Sequence, residues 1–151
     1  MSTTCCEKAM KYAEGPGDAA AMLVGQNPGR EEVKQGRPFV GRSGKYLNKV
    51  LTDCGLIREQ LYITALVKAP TPGNRKPTAA EIKYWIPCLE TEIKKINPWI
   101  IVLMGRVAWH APRLECMDYI ETYHPAAAMR FPEIRARFEA DFRKLARKLK
   151  K

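Results

Sequence analysis

The sequence lacks several features that define common protein classes. Its five cysteines are odd in number and mostly scattered, which argues against a disulfide framework, and they include no CxxC pair, which argues against a zinc or iron–sulfur site. No apolar run reaches the roughly 18 residues that a membrane span requires, and the chain does not begin with a basic segment followed by a hydrophobic one. These absences predict a soluble, unexported protein that makes no membrane contact.

The residues that are present indicate a folded, basic protein. Hydrophobic residues make up 46% of the 151 residues, enough to bury a core, and we expect a single domain over residues 1–151. Lysine and arginine outnumber aspartate and glutamate by 26 to 16, which gives a formal net charge of +10. This excess favours a polyanionic partner, with nucleic acid ahead of a membrane surface.

Short apolar runs alternate with helical patterns along the chain. Buried strands are predicted at residues 19–25, 61–67, 99–105 and 118–123. Helices are predicted over residues 44–54, over residues 78–97 and from Pro132 onward. The alternation predicts an α/β fold: a three-layer α/β/α sandwich around a short, four-stranded, mainly parallel sheet.

Local signals mark where these helices begin and what separates them. Ser43 is the expected N-cap of the first helix, and Thr78 with Glu81 forms a capping box for the second. Residues 69–77 contain three prolines and a glycine and are predicted to be irregular.

Three polar segments follow predicted strands. They are GQNPG at 25–29, GNR at 73–75 and HP at 124–125. Ligands of parallel sheets bind beyond the carboxyl ends of the strands. We therefore expect the three segments to converge on one pocket.

The motifs together resemble the uracil-DNA glycosylase superfamily, above all its thermophile and archaeal family 4. The resemblance is carried by GQNPG, by QGRPFVGRSGKYL at 35–47, by YITALVKAPTPGNRKP at 62–77 and by HPA at 124–126, which occur in the family's order. It implies a monofunctional DNA glycosylase that flips uracil, or a related deaminated base, out of DNA and hydrolyses its N-glycosidic bond. Such an enzyme leaves an abasic site for base excision repair.

The resemblance implies a set of catalytic residues. Asn27 matches the residue that orients the attacking water, although an asparagine in this turn also fits a purely conformational role. Gln26 is placed to donate its backbone N–H or side-chain amide to the base or the water. Glu32 matches an acidic position implicated in water activation, but its charged loop favours a solvated side chain. His124 matches the histidine that stabilises the anionic oxygen of the departing base.

The residues expected around the base are less complete. Phe39 matches the aromatic side chain on which the flipped base stacks. Asn74 matches another polar position of the family. Ala65 stands where family 4 has an asparagine that hydrogen-bonds the uracil edge, and an alanine cannot read a base edge. We therefore expect weaker or broader base selection.

The resemblance also implies contacts with DNA. Phosphate contacts are expected from basic and hydroxyl side chains beside the motifs, namely Arg42, Ser43, Lys68, Arg75 and Arg130. The loop after His124 matches the segment that enters the minor groove, with Ala128 or Met129 as the wedge. The expected partner is DNA that contains uracil or other deaminated bases, bound by a monomer in the cytoplasm and associated with the nucleoid.

The chain departs from family 4 at the cysteines that hold its four-iron, four-sulfur cluster. Cys5 and Cys6 are adjacent instead of forming CxxC. The third position is Ala69, and the fourth falls on Trp85, with Cys88 about one helical turn later. We therefore expect no metal and no cofactor, with Trp85 packed in the space of the cluster.

Two other functions stay open. Ala65 and the positive charge also fit a protein that binds uracil-containing or damaged DNA with little turnover on the same fold. The GRSGK segment at 41–45 hints at a phosphate-binding P-loop and thus at an enzyme of small nucleotides. A P-loop, however, requires glycine where Phe39 stands and serine or threonine where Tyr46 stands.

Overall fold

The computed structural model describes residues 12–150. A sheet of four parallel strands lies at the centre, in the order β2-β1-β3-β4. The strands are β1 (Ala21–Gly25), β2 (Tyr62–Ala65), β3 (Ile100–Met104) and β4 (Asp118–Thr122). Every residue of β1 and β3 is buried, as expected for strands covered on both faces. All four predicted strands are confirmed.

Five α-helices lie within residues 12–150. They are α1 (Arg30–Gln35), α2 (Arg42–Asp53), α3 (Ala79–Ile96), α4 (Pro125–Arg130) and α5 (Pro132–Leu149). Apolar side chains of α2 and α5 form one core cluster with one face of the sheet, and those of α3 form a second cluster with the other face. This is the predicted three-layer sandwich. None of these helices is long and apolar enough to cross a bilayer.

Helix α3 begins and ends where its sequence predicts. The N–H of Glu81 donates to Thr78 Oγ1 at 3.2 Å, and the N–H of Thr78 donates to Glu81 Oε1 at 2.8 Å, which completes the capping box. Asn97 ends the helix in the left-handed conformation, with φ of 52°.

Two local predictions were wrong. Helix α2 begins at Arg42 with Gly41 as its N-cap, so Ser43 lies inside the first turn. The carboxylate of Glu32 already binds the N–H groups of Val40 and Gly41, which directs the chain into the helix without a serine cap.

The segment after His124 is helix α4 and not a loop. Pro125 suits the first position of a helix, and His124 caps that helix with its side chain. The segment at 69–77, predicted to be irregular, contains a short 3₁₀ turn at Pro72–Asn74.

A buried ion pair joins β2 to helix α3. Lys68 Nζ lies 2.7 Å from Glu92 Oε1, with side chains 2% and 0% exposed. Glu92 also accepts hydrogen bonds from the hydroxyl groups of Tyr62 and Thr64, at 2.6 and 3.0 Å. Lys68 donates to Thr64 Oγ1 and to the carbonyl oxygen of Ala65. Burial lowers the pKa of the Lys68 amine, while the Glu92 carboxylate opposes that shift.

Replacing one member of this pair leaves an uncompensated buried charge. We expect Lys68→Met to lower the free energy of unfolding by about 3–5 kcal/mol, measured by urea denaturation. Lys94→Met, which breaks the exposed pair with Glu90, is the matched control and should cost about 1 kcal/mol or less. Equal losses in the two variants would contradict the assigned role of the buried pair.

Candidate active site

A pocket of about 130 Å³ lies beyond the carboxyl ends of β1, β2 and β4. Six of the residues expected at the site line it, namely Asn27, Glu32, Phe39, Ser43, Ala65 and His124. Tyr12 and Thr64 also line it, and sequence patterns did not single them out. The expected convergence is therefore confirmed for two of the three polar segments, GQNPG and HP.

Phe39 forms one wall of the pocket and is held there by two glycines. A Cβ built on Gly25 would lie 2.3 Å from Phe39 Cζ, and one built on Gly44 would lie 2.0 Å from the Phe39 carbonyl oxygen. Phe39 itself has a φ of 49°, a conformation that side chains disfavour. Arg58 stabilises this turn, because its guanidinium donates to the carbonyl oxygens of Phe39 and Pro38 at 2.9 and 2.5 Å.

Glu32 connects the two sides of the loop around the pocket. Its Oε1 accepts the N–H of Gly29 at 2.9 Å, and its Oε2 accepts the N–H groups of Val40 and Gly41 at 2.9 Å each. The interpretation of Glu32 as a solvated charge is therefore wrong. The three backbone donors give this carboxylate a positioning role, since it fixes the NPG turn relative to the segment that carries Phe39.

His124 faces the pocket in a defined protonation state. Its Nδ1 accepts the N–H of Ala126 at 3.0 Å, and a ring nitrogen that accepts a hydrogen bond carries no proton. The neutral ring therefore carries its proton on Nε2. Burial lowers the pKa of His124, and the nearby Glu32 carboxylate opposes that shift in part. The ring centroid lies 6.1 Å from that of Phe39, with 40° between the ring planes.

Asn27 lines the pocket, but two other predicted polar residues do not. The Asn27 side-chain nitrogen donates to Thr71 Oγ1 at 3.4 Å. The Gln26 side chain is absent from the pocket lining, and its carbonyl oxygen accepts the N–H of Val67 within the sheet region. Asn74 is exposed in the 3₁₀ turn with φ of 58° and lines a separate groove. Neither supplies a side chain to the base pocket.

A second groove adjoins the pocket and shares Glu32 and Ser43 with it. Four residues expected to contact DNA line this groove, namely Arg42, Ser43, Met129 and Arg130. Arg30, which sequence patterns did not single out, lies there as well. Three arginines therefore line the groove beside the pocket.

Two expected DNA contacts need correction, and a third stays a prediction. The Lys68 amine is buried in its ion pair with Glu92 and is not available to a phosphate. Ala128 is fully buried between helices, so it cannot act as the wedge in this conformation. Arg75 is exposed but is engaged by Glu81, with Nη1 2.7 Å from Oε1.

The described residues do not fit a four-cysteine cluster. Ala69 and Trp85 occupy two of the family positions, and neither side chain can ligate iron. Trp85 instead packs against the core cluster under α3, with the ring of Tyr84 edge-on at 5.0 Å. Within residues 12–150, no group of three or more histidine, cysteine or acidic side chains could hold a metal. Cys5 and Cys6 lie outside the described residues.

The neutral state of His124 predicts a pH dependence of stability. Its folded pKa lies below its ordinary value, so its contribution is complete above about pH 6.5 and is lost as the pH falls through the folded pKa. We expect the free energy of unfolding to decrease between pH 7.5 and 5 in urea titrations, and to decrease less in His124→Gln. His110→Gln, at an exposed position, should behave like the wild type. Identical pH dependence in His124→Gln and wild type would contradict the assignment.

Comparison with known proteins identifies the family. The model of the uracil DNA glycosylase superfamily matches residues 12–150. A type-4 uracil-DNA glycosylase of Archaeoglobus fulgidus is 35% identical to this chain, and the alignment covers 89% of the chain and 80% of that protein. The type-4 enzymes of Sulfurisphaera tokodaii and Saccharolobus solfataricus are 37% and 36% identical, each over 87% of this chain and over 71% and 72% of their own length. The chain belongs to the uracil DNA glycosylase superfamily.

Proposed function

We propose that the protein is a DNA glycosylase that hydrolyses the N-glycosidic bond of uracil, or of a related deaminated base, in DNA. The products are the free base and an abasic site, which base excision repair then processes. The observation that carries the proposal is the convergence of Asn27, Phe39 and His124 on one small pocket. The names of the type-4 relatives support uracil as the base.

His124 stabilises the departing base. Cleavage of the N-glycosidic bond leaves negative charge on the base, and a donor fixed in advance near a carbonyl oxygen stabilises that charge. The Nε2–H of neutral His124 is such a donor. The hydrogen bond from Ala126 to Nδ1 holds the ring in this tautomer, and burial keeps the ring uncharged by lowering its pKa.

Asn27 positions the attacking water. A carboxamide is too weak a base to remove a proton, but correct placement of the nucleophile alone lowers the barrier of a dissociative reaction. The residue lies in the turn directly after β1 and lines the pocket beside Gly29. Its carbonyl oxygen is the acceptor that a water beneath the sugar requires.

Phe39 holds the extruded base. The base must leave the helix stack to reach this pocket, and an aromatic wall replaces part of the stacking that it loses. The fixed turn at Pro38 and Phe39, bound by Arg58, keeps the ring in place before the base arrives. Preorganisation of this kind reduces the entropic cost of binding.

The pocket selects its base less strongly than it would with a side-chain amide on β2. Ala65 lines the pocket with a methyl group that forms no hydrogen bond. Thr64 lines it too, but its hydroxyl is bound to Glu92 and Lys68. Polar recognition of the base therefore depends on backbone groups and His124. The enzyme consequently accepts related deaminated bases as well as uracil.

The enzyme is monofunctional. A glycosylase that also cleaves the strand forms a Schiff base with the sugar and needs an accessible amine for it. No lysine is among the described residues that line the pocket, and the Lys68 amine nearby is buried in its ion pair. Hydrolysis is the reaction that these residues support.

DNA lies across the groove beside the pocket. Arg30, Arg42 and Arg130 contact phosphates there, since guanidinium groups set the register of a protein on the DNA backbone. Met129 is partly exposed on α4 and acts as the wedge in place of the buried Ala128.

A second candidate function is binding of uracil-containing DNA with little turnover. Ala65 favours it, because the side chain that would grip the base edge is missing, and the net charge of +10 favours tight association with DNA. Salt-sensitive binding without release of any base would support this alternative over the glycosylase.

Excision assays test the function. Uracil-containing oligonucleotides treated with the protein should break in alkali, and Asn27→Ala and His124→Ala should each slow excision by about 100-fold or more. His110→Ala, the matched control at the other histidine, should retain the wild-type rate. A wild-type protein in excess that leaves uracil, hypoxanthine and xanthine in place, in single and double strands, would overturn the proposal.

We further infer that the protein works without an iron–sulfur cluster. Ala69 and Trp85 lack the thiolates that two of the four positions need. The purified protein should be colourless and contain no iron by elemental analysis, and an iron chelator should leave its melting temperature unchanged. Stoichiometric iron with the visible absorbance of a cluster would contradict this.

A further inference from the structure

Thr71 is a buried residue next to the catalytic pocket and forms hydrogen bonds on both sides. It is 6% exposed. Its hydroxyl donates to the carbonyl oxygen of Arg75 at 2.5 Å and accepts from Asn27 Nδ2 at 3.4 Å. No other side chain among residues 12–150 forms a hydrogen bond with Asn27.

The direction of these two bonds follows from proton count. A threonine hydroxyl has one proton, and the carbonyl oxygen of Arg75 has none, so the proton of Thr71 lies between them. The oxygen of Thr71 is then available to Asn27 only as an acceptor. The carboxamide must therefore present its NH₂ group to Thr71, since its oxygen would face a lone pair.

We propose that Thr71 is the positioning residue that sets the orientation of the Asn27 carboxamide for catalysis. With Nδ2 held by Thr71, Oδ1 is left to accept a hydrogen bond from the attacking water. The inference depends on the proposed glycosylase function and extends it to a residue that does not touch the substrate. A flipped carboxamide would present its NH₂ group to the water and could not accept a hydrogen bond from it.

The backbone after Thr71 keeps the hydroxyl in place. The chain turns back at Pro72–Asn74, where Gly73 and Asn74 have φ of 62° and 58°. The N–H of Asn74 donates to the carbonyl oxygen of Thr71 at 3.1 Å. Because of this turn, the carbonyl oxygen of Arg75 lies next to the Thr71 hydroxyl. The GNR segment therefore positions Thr71 and does not contact the base.

The same turn is anchored to helix α3. The guanidinium of Arg75 binds Glu81 through two nitrogens, at 2.7 and 3.1 Å. Glu81 also completes the capping box with Thr78. The start of α3 therefore fixes Arg75, Arg75 fixes Thr71, and Thr71 fixes Asn27.

Single-turnover excision kinetics test the proposal. Thr71→Val keeps the shape of the side chain but removes the acceptor, and we expect the excision rate to fall about 10-fold while affinity for uracil-containing DNA stays within about twofold. Thr71→Ser keeps the hydroxyl and should restore the rate to within about threefold of wild type. Thr91→Val is the matched control, because Thr91 also donates to a backbone carbonyl four residues away, that of Pro87 at 3.0 Å.

A double variant separates positioning from general damage. Thr71→Val should cause no further loss of rate when added to Asn27→Ala, because its effect passes through Asn27. A full additional loss in that background would overturn the proposal, as would a wild-type rate in Thr71→Val. If the wild type excises no base, the proposed function itself fails, and the two failures are thus distinguishable.

If Thr71→Val does not fold, a measurement on the wild type tests the orientation of the Asn27 carboxamide. The side-chain NH₂ protons of Asn27 should exchange with water more slowly than those of the exposed Asn97 in ¹H–¹⁵N spectra, because one of them is hydrogen-bonded and partly shielded from solvent. Equal exchange rates would contradict the orientation assigned to the carboxamide.

Discussion

The carboxylate of Glu32 holds together the loop on which the active site depends. One oxygen binds the backbone of the NPG turn at Gly29, and the other binds the backbone at Val40 and Gly41. Asn27 lies on the first side of this bridge and Phe39 on the second. The distance between Asn27 and the ring of Phe39 is therefore set by three charge-assisted hydrogen bonds, which are stronger than neutral ones.

Backbone groups also define where the protons of the site lie. The N–H of Ala126 leaves His124 Nδ1 without a proton, and the carbonyl oxygen of Arg75 acts through Thr71 on the carboxamide of Asn27. Helix α4 and the start of α3 thus determine one donor and one acceptor in the pocket. Folding itself therefore establishes the hydrogen-bonding pattern that hydrolysis requires, before any DNA binds.

Local sequence patterns predicted the parts of the molecule that local forces determine. Buried strands follow from apolar runs, and α3 follows from its capping box and helical spacing. The pocket was predictable too, because parallel strands present their carboxyl ends on one edge. The burial of Lys68 could not be predicted from the sequence, since its partner Glu92 lies 24 positions away on another element. The role of Glu32 was equally hidden, because solvated and bridging glutamates look alike in a sequence.

We propose that the pocket presents a neutral His124 whose Nε2–H donates to the leaving base. The ¹⁵N spectrum of imidazole-labelled protein at pH 7.5 tests this directly. The chain has two histidines, so a His110→Gln variant leaves the signals of His124 alone. We expect a neutral ring with the proton on Nε2 and none on Nδ1. A proton on Nδ1, or a fully protonated ring at that pH, would contradict it.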